Sequence, residues 1–390
     1  MLNWVNFLHI YQPPEQNEHI FHEVARESYF EIAKFFDLYD GLKLTMNLSG
    51  SLLEQLIKYQ YDTLLDDFRR AFTGGEMELV GSAMYHPILP FLPESEIERQ
   101  ILLDEKIKQE IFGKEYERRG FYIPEMAYSR KVAEVLDEMG FKWIILDEIS
   151  FNGKLDSFDK EKIYKIKELN LRVIFRDRKV SDYFVPEKIK EISGQIIGKN
   201  KNIITATDGE LYGHHHQDFY NKTKAAFTDG NIRSLKASDF IEEFGSDDLE
   251  EIDPIDSNWE SQEEDLENNI PFSYWNVAEN EIQKQMWGLA YLVIESVESR
   301  RDDDRYDLAR RLLDKGLSSC HFWAASGKQS TIWKDTIWNP DVIERGALFL
   351  IRSMRSVCEM DVETRIKAEK KFAEIDRLVW DKHWNKFYKV

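Results

Sequence analysis

Cysteine is nearly absent: Cys320 and Cys358 are the only two in 390 residues. Neither sits in a CxxC pair, which excludes a zinc ribbon and a disulfide scaffold. Sparse cysteine suits a reducing cytoplasm. No apolar run approaches the roughly 20 residues that cross a bilayer. The start, MLNWVNFLHIYQPP, lacks the basic leader and small-residue cleavage site of a secretory signal. A cytoplasmic protein is therefore expected. Positive charge is also short. Lys and Arg total 52 against 72 Asp and Glu, giving a net charge of −20. Such a field repels phosphate backbones and anionic membrane surfaces, so neither nucleic acid nor a membrane is an expected partner. Repeats and low-complexity tracts are missing too. What is present is a 42% hydrophobic, 32% charged composition with 10 Trp, 17 Tyr and 24 Phe. That is enough for a sizeable core, and for aromatic platforms on which a flat ligand such as a sugar ring could stack.

Up to residue 244, short apolar runs alternate with amphipathic stretches, the pattern of βα units around a parallel sheet. The expected strands centre on Val5–Ile10, Lys43–Asn47, Glu78–Val80, Phe121–Ile123, Trp143–Leu146, Arg172–Phe175 and Asn202–Ala206. Helices are expected at Ser95, where SEIE reads as a capping box, over Ser129–Met139 before Gly140, and over Val185–Ile197. Residues 245–270 are acidic and poor in strand formers, and read as a surface connection. From 271 to 390 the apolar spacing predicts helices over Glu279–Arg300, Tyr306–Leu317, Pro340–Met360 and Val362–Leu378. The fold class is thus α/β, a parallel barrel of about seven strands followed by a helical subdomain.

In parallel barrels, chemistry collects where strands end at their carboxyl side. There the chain offers His9, Tyr11 and Gln12, then His86, then Glu125, and finally Asp208, Glu210 and the run His214–His215–His216. Glu125 and Asp208 each terminate an apolar run on different strands. Paired carboxylates at a barrel mouth suit glycosidic-bond chemistry, one attacking and one donating a proton. Ion pairs also place carboxylates in clefts, so spacing alone leaves both readings open.

Four segments carry a resemblance. HIYQPP (9–14), GEMELVGSAMYHP (75–87), FYIPEMAY (121–128) and TATDGELYGHHH (205–216) resemble, in order, the first four motifs of glycoside hydrolase family 57. The FSYWNVAENEIQKQMWGLAY and SSCHFWAASGK stretches are similar to its helical region. The resemblance implies a seven-stranded (β/α) barrel whose helical subdomain completes the substrate cleft. It also implies a retaining mechanism on α-linked sugars, as in the family's α-amylases, 4-α-glucanotransferases, branching enzymes and α-galactosidases. By motif, Glu125 corresponds to the nucleophile and Asp208 to the general acid/base. A retaining site holds its two carboxyls about 5–5.5 Å apart. Asp208 must carry a proton, for which burial and a neighbouring carboxylate such as Glu210 are the natural means. His9 and Gln12 match the motif that lines the sugar site. His86, Tyr122 (where the family often has Trp), Glu210 and His214 are further candidates for substrate contact. Of the tryptophans, Trp259, Trp275, Trp287 and Trp323 are candidate platforms or core residues, and Trp275 and Trp323 are the two preferred. Arg176 and Arg178 could fix a cleft carboxylate or pair with Asp177 or Asp182. No cofactor or metal is expected, and the expected partner is an α-glucan. The competing reading is a metal-dependent polysaccharide deacetylase using the histidine run, and stoichiometric zinc would mark it. A non-catalytic sugar binder is disfavoured because both carboxylates are kept.

Overall fold

The computed structural model describes every residue except 161, 197–199, 219–220, 246–248, 331–333 and 389–390. The chain divides into two compact units, Met1–Met84 with Leu89–Trp259, and Tyr85–Ile88 with Glu260–Val390.

The first unit holds ten strands among its described residues: β1 (Leu2–Ile10), β2 (Leu44–Leu48), β3 (Met77–Leu79), β4 (Gly120–Tyr122), β5 (Trp143–Asp147), β6 (Tyr164–Ile166), β7 (Arg172–Arg176), β8 (Lys201–Asp208), β9 (Ile232–Leu235) and β10 (Glu250–Ile252). All seven apolar runs read from sequence are strands. One sheet runs β3-β2-β1-β8, with β9 also paired to β1, and the other runs β10-β6-β7-β5-β4. Among the strand pairs of the described residues, β6–β7 alone is antiparallel. The sheets meet at a parallel bridge between Gly81 and Phe121. There Gly81 N donates to Gly120 O and Tyr122 N to Gly81 O, both at 2.9 Å. A side chain on Gly81 would collide with the Phe141 ring, 2.8 Å from an ideal Cβ, so glycine is what lets these strands approach. Between β7 and β8, Asp177 N donates to Ile204 O at 2.8 Å.

β1 is buried along its whole length, as a central parallel strand must be. Its period of two sorts the side chains. Val5 and Phe7 join Tyr122, Ile145, Ile174, Ile204 and Ala206 in one apolar cluster. Leu8 and Ile10 join another, with Phe21, Tyr29, Leu44 and Leu52. His9 follows Phe7 by two residues and Asp208 follows Ala206 by two. Both therefore project on the face of the first cluster, at the strands' carboxyl ends.

Several expectations need correction. β6, β9 and β10 were not foreseen. The helix at Ser95 spans Glu94–Phe112 with extended Pro93 as its N-cap, so Ser95 is already helical and no capping box forms. Glu96 takes the third helical position instead of Glu98. The helix from Val185 ends at Ser193, and its expected last residue, Ile197, lies outside the described residues. Residues 246–248 of the acidic connection do so as well. The rest of that stretch is not featureless: it carries β10 and a short helix, Glu263–Glu267, and the boundary between units falls inside it.

In the second unit the four expected helices are found as Glu281–Glu298, Tyr306–Gly316, Pro340–Ser356 and Val362–Lys382. Tyr306–Gly316 packs on Pro340–Ser356, and Glu281–Glu298 on Val362–Lys382. Val293, Val297, Leu313, Leu350, Ile375 and Val379 are buried between them. Among the described residues, no helix is long and apolar enough to cross a membrane.

Candidate active site

Glu125 stands in a turn directly after β4. Its backbone is left-handed, with φ 58 and ψ 14, and Met126 follows at φ 48. Non-glycine residues adopt this region at a cost and persist there only when held. Trp259 supplies the hold at both ends of the residue. Its backbone N donates to Glu125 O at 3.2 Å, and its indole Nε1 donates to Glu125 Oε2 at 3.0 Å. A donor to a carboxylate favours the ionised form, which is the form a nucleophile needs. Trp259, considered from sequence as a sugar platform, acts here through its N–H. Trp259→Phe keeps the ring and removes the donor. A charge-assisted hydrogen bond contributes about 1.5–3 kcal/mol, so kcat/KM is expected to fall roughly ten- to hundredfold. The acidic limb of the pH–rate profile should move to higher pH. An unmoved limb would mean the indole only packs.

Asp208 ends β8, in register with His9 on β1. His9 Nδ1 meets Asn47 Nδ2 at 2.9 Å. With the amide nitrogen donating, Nδ1 accepts and the ring proton sits on Nε2. The His9 ring stacks on Tyr122 at 4.3 Å and on Tyr11 at 6.0 Å, and meets Trp259 edge-on at 5.9 Å. The Tyr122 hydroxyl is pushed well above its ordinary value by burial first, then by the negative charges of Glu125 and Asp208. One aromatic pair, Tyr122 and His9, is therefore tied to both carboxylates.

Glu210 does not continue β8. It lies in the 3₁₀ turn Gly209–Leu211 and is buried. Tyr29 OH donates to its Oε1 at 2.6 Å, and Gln12 Nε2 reaches Tyr29 OH at 2.7 Å. Burial, then the charge of Asp208, pushes the Glu210 carboxyl up to about 8. Gln12, expected in the sugar site, is thus engaged with the Glu210 group, and Gln16 Nε2 holds its Oε1 at 3.1 Å.

Arg176 and Arg178 pair with neither of the expected partners first. Both converge on Asp147, the last residue of β5: Arg176 Nε reaches Oδ2 at 2.6 Å and Arg178 Nη2 reaches Oδ1 at 2.5 Å. Burial alone would raise Asp147, but the two guanidiniums outweigh it and hold the carboxyl below its ordinary value. Arg176 also donates to Ala206 O at 3.0 Å, reaches Asp182 at 3.4 Å, and lies 5.5 Å from the Trp259 ring centre. Asp177 instead caps the helix Arg178–Ser181 and pairs with Lys160. Arg176 thus braces the indole that holds Glu125 and the strand that carries Asp208.

The rings of His214 and His215 lie 4.8 Å apart, and the run divides between different partners. His214 Nδ1 meets Glu27 Oε2 at 2.8 Å, and His216 stacks on Phe184 at 3.9 Å. Among the described residues, no three His, Cys, Asp or Glu side chains converge to hold a metal ion. His86, Trp275 and Trp323 belong to the second unit. His86 has φ 57 and is buried, its Nδ1 3.1 Å from Ser319 Oγ; burial drives its pKa down to about 3, so it is neutral. Trp275 is wholly buried, edge-on to Tyr274, and offers no open face for stacking. Trp287 stacks on Phe322 at 4.0 Å as core. Trp323, half-buried, ends the helix Ser319–Trp323.

The sequence model of glycosyl hydrolase family 57 matches residues 1–252, a span that includes Glu125, Asp208 and every residue of the first unit bar the last seven. The chain belongs to glycosyl hydrolase family 57. Among relatives, it is 27% identical over 150 residues to an alpha-amylase of Pyrococcus horikoshii, a match covering 38% of this chain and 23% of that protein. It is 26% identical over 151 residues to a 4-alpha-glucanotransferase of Thermococcus kodakarensis, covering 39% and 22%. The family 57 chain thus matches under a quarter of the length of these relatives. Solved structures agree on the fold. The 4-alpha-glucanotransferase of Thermococcus litoralis superposes with a TM-score of 0.72 at 17% identity, covering 92% of this chain and 60% of that one. A family 57 branching enzyme from Pyrococcus horikoshii gives 0.66 at 15% identity, covering 97% and 95%.

Proposed function

We propose that this family 57 chain is a retaining glycosidase or transglycosylase acting on α-linked glucans. In this reading the seven parallel strands β1, β2, β3, β4, β5, β7 and β8 constitute a (β/α)7 barrel with the site at its carboxyl end. Glu125 attacks the anomeric carbon while Asp208 gives its proton to the departing glycosidic oxygen, so that a glycosyl ester forms as the C–O bond breaks. Asp208 then takes a proton from water or from an acceptor sugar, which displaces Glu125 and restores the original configuration. His9 and Tyr122 line the sugar beside the two carboxylates, and Glu210 supports Asp208 from the turn behind it. The observation that carries the reading is the unequal treatment of the carboxyls. Glu125 is clamped in a left-handed turn with an indole N–H on its oxygen, while Asp208 neighbours the buried Glu210 carboxyl, and burial with mutual repulsion keeps a proton within that pair. A nucleophile and a proton donor need that asymmetry. The names of the relatives, amylase and glucanotransferase, support α-glucan as substrate.

The test is product analysis of the purified protein on maltooligosaccharides, glycogen and α-galactosides, with the first-formed anomer read by proton NMR. Shortened or disproportionated maltooligosaccharides with α-configured first products are expected. A β-configured first product, or cleavage of α-galactosides alone, would overturn the reading.

A further inference from the structure

At the amino ends of β4, β5 and β7 the first unit has a cavity of about 300 Å³. It is lined by Arg119, Lys142, Trp143, Asn170, Arg172, Ser238, Ile241 and Glu242. The sheet itself assembles it. Lys142 N donates to Arg119 O at 2.8 Å and Arg172 N to Lys142 O at 3.0 Å, so three strand starts are laid side by side, each bringing a cation. Trp143 forms a buried wall, and its Nε1 donates to Ser238 Oγ at 2.9 Å. Three cations face one lining carboxylate, Glu242, in a chain of net charge −20. Arg119 has an exposed partner, Glu117, at 3.7 Å. Among the described residues, Lys142 and Arg172 make no ion pair. In so acidic a protein, cations left unpaired in a concave site form a local positive potential that a cleft focuses.

We propose that this cavity binds the phosphoryl group of a small phosphorylated metabolite. Guanidinium forks and an ammonium are the donors that recognise phosphate oxygens, and the Asn170 amide adds a neutral one. The volume is at the small end of ligand sites, enough for a phosphate and part of the group it esterifies. Arg119, Lys142 and Arg172 stand at the opposite end of their strands from Glu125 and Asp208, and Ser238, Ile241 and Glu242 come from the helix Ala237–Phe244, so the site is independent of the glycosidase reading.

The test is titration calorimetry on the full chain at low ionic strength with inorganic phosphate, glucose 1-phosphate and ATP as separate probes. At least one is expected to bind saturably, once per chain, and more weakly as salt rises. Equal binding of inorganic phosphate and the esters would mean that the phosphoryl group alone is read. Tighter binding of one ester identifies its sugar or nucleoside as a further contact. The variant K142A/R172A should lose at least about tenfold in affinity while keeping its circular dichroism spectrum and thermal midpoint. Lys106→Ala, an exposed lysine outside the cavity, should bind as the parent does. No saturable heat with any probe, or equal losses in K142A/R172A and Lys106→Ala, would overturn the proposal. If K142A/R172A fails to fold, Arg172→Gln is the substitute, and unchanged affinity in it would equally overturn the site.

Discussion

Glu125→Gln is expected to lose the chemical step by on the order of 10³-fold or more, equivalent to about 4 kcal/mol of barrier. An amide oxygen cannot form the glycosyl ester, so no compensating route remains within the site. The fold should survive, because Gln is nearly isosteric and its Oε1 can still accept the Trp259 indole N–H that Glu125 Oε2 accepts at 3.0 Å. The left-handed turn is unchanged in demand, since Gln meets the same backbone cost. Azide should restore turnover of an activated aryl glycoside, entering where the carboxylate stood. The product would then have inverted configuration. The measurement is kcat on the aryl substrate with and without azide, with the anomer read by NMR. Near-normal activity in Glu125→Gln removes it from the nucleophile role.

The second large effect is Asp208→Asn. It should slow natural glucans, whose leaving groups need a proton, by roughly 10²–10⁴-fold, the range of general acid catalysis. Aryl or fluoride substrates should lose far less in glycosylation, because their leaving groups depart unprotonated. The alkaline limb should change as well. In the parent it belongs to the Asp208/Glu210 pair and not to one residue, since the charge of Asp208 raises Glu210 and the interaction is reciprocal. Because burial and the neighbouring charge raise Glu210, the parent's limb is expected above the ordinary carboxyl range. Asp208→Asn should remove it. Profiles of kcat/KM against pH for both substrate types decide the matter. Equal losses for the two substrates, or an intact alkaline limb, would pass the acid's role to Glu210.

Seven strands were legible because they are buried along most of their length and read as short runs rich in apolar and β-branched residues. β9 and β10 were not, because IRSL and EEI carry charges that only a strand at the margin of a sheet can send to solvent. The capping box at Ser95 failed for a local reason: Pro93, already extended, ends the preceding chain two residues earlier. Both carboxylates were legible as polar residues terminating apolar runs. Their supports were not. Asn47 reaches His9 across a strand pair, Tyr29 reaches Glu210 over 181 positions, and Asp147 collects Arg176 and Arg178 from about 30 positions away. Such partners are set by the closing of the chain on itself, and one-dimensional spacing carries no mark of them. Trp259 was noticed as an aromatic, but its nitrogen, and not its face, is what meets Glu125.

The buried Glu210 carboxyl also ties the stability of the protein to pH. An unfolded chain releases this proton near the ordinary glutamate value of 4.5, whereas the folded one keeps it to about 8. Between those values the native state binds more protons than the unfolded state, so unfolding free energy declines as pH rises. Below about 4.5 both states are protonated and this group costs nothing; above about 8 its cost is fully present. The thermal midpoint is therefore expected to drop between pH 5 and 8, and Glu210→Gln, read by calorimetry, should flatten that slope. A parent slope that survives the substitution would assign the proton uptake elsewhere. The protonated carboxyl beside Asp208 thus makes this group's own demand on stability least under mildly acidic conditions.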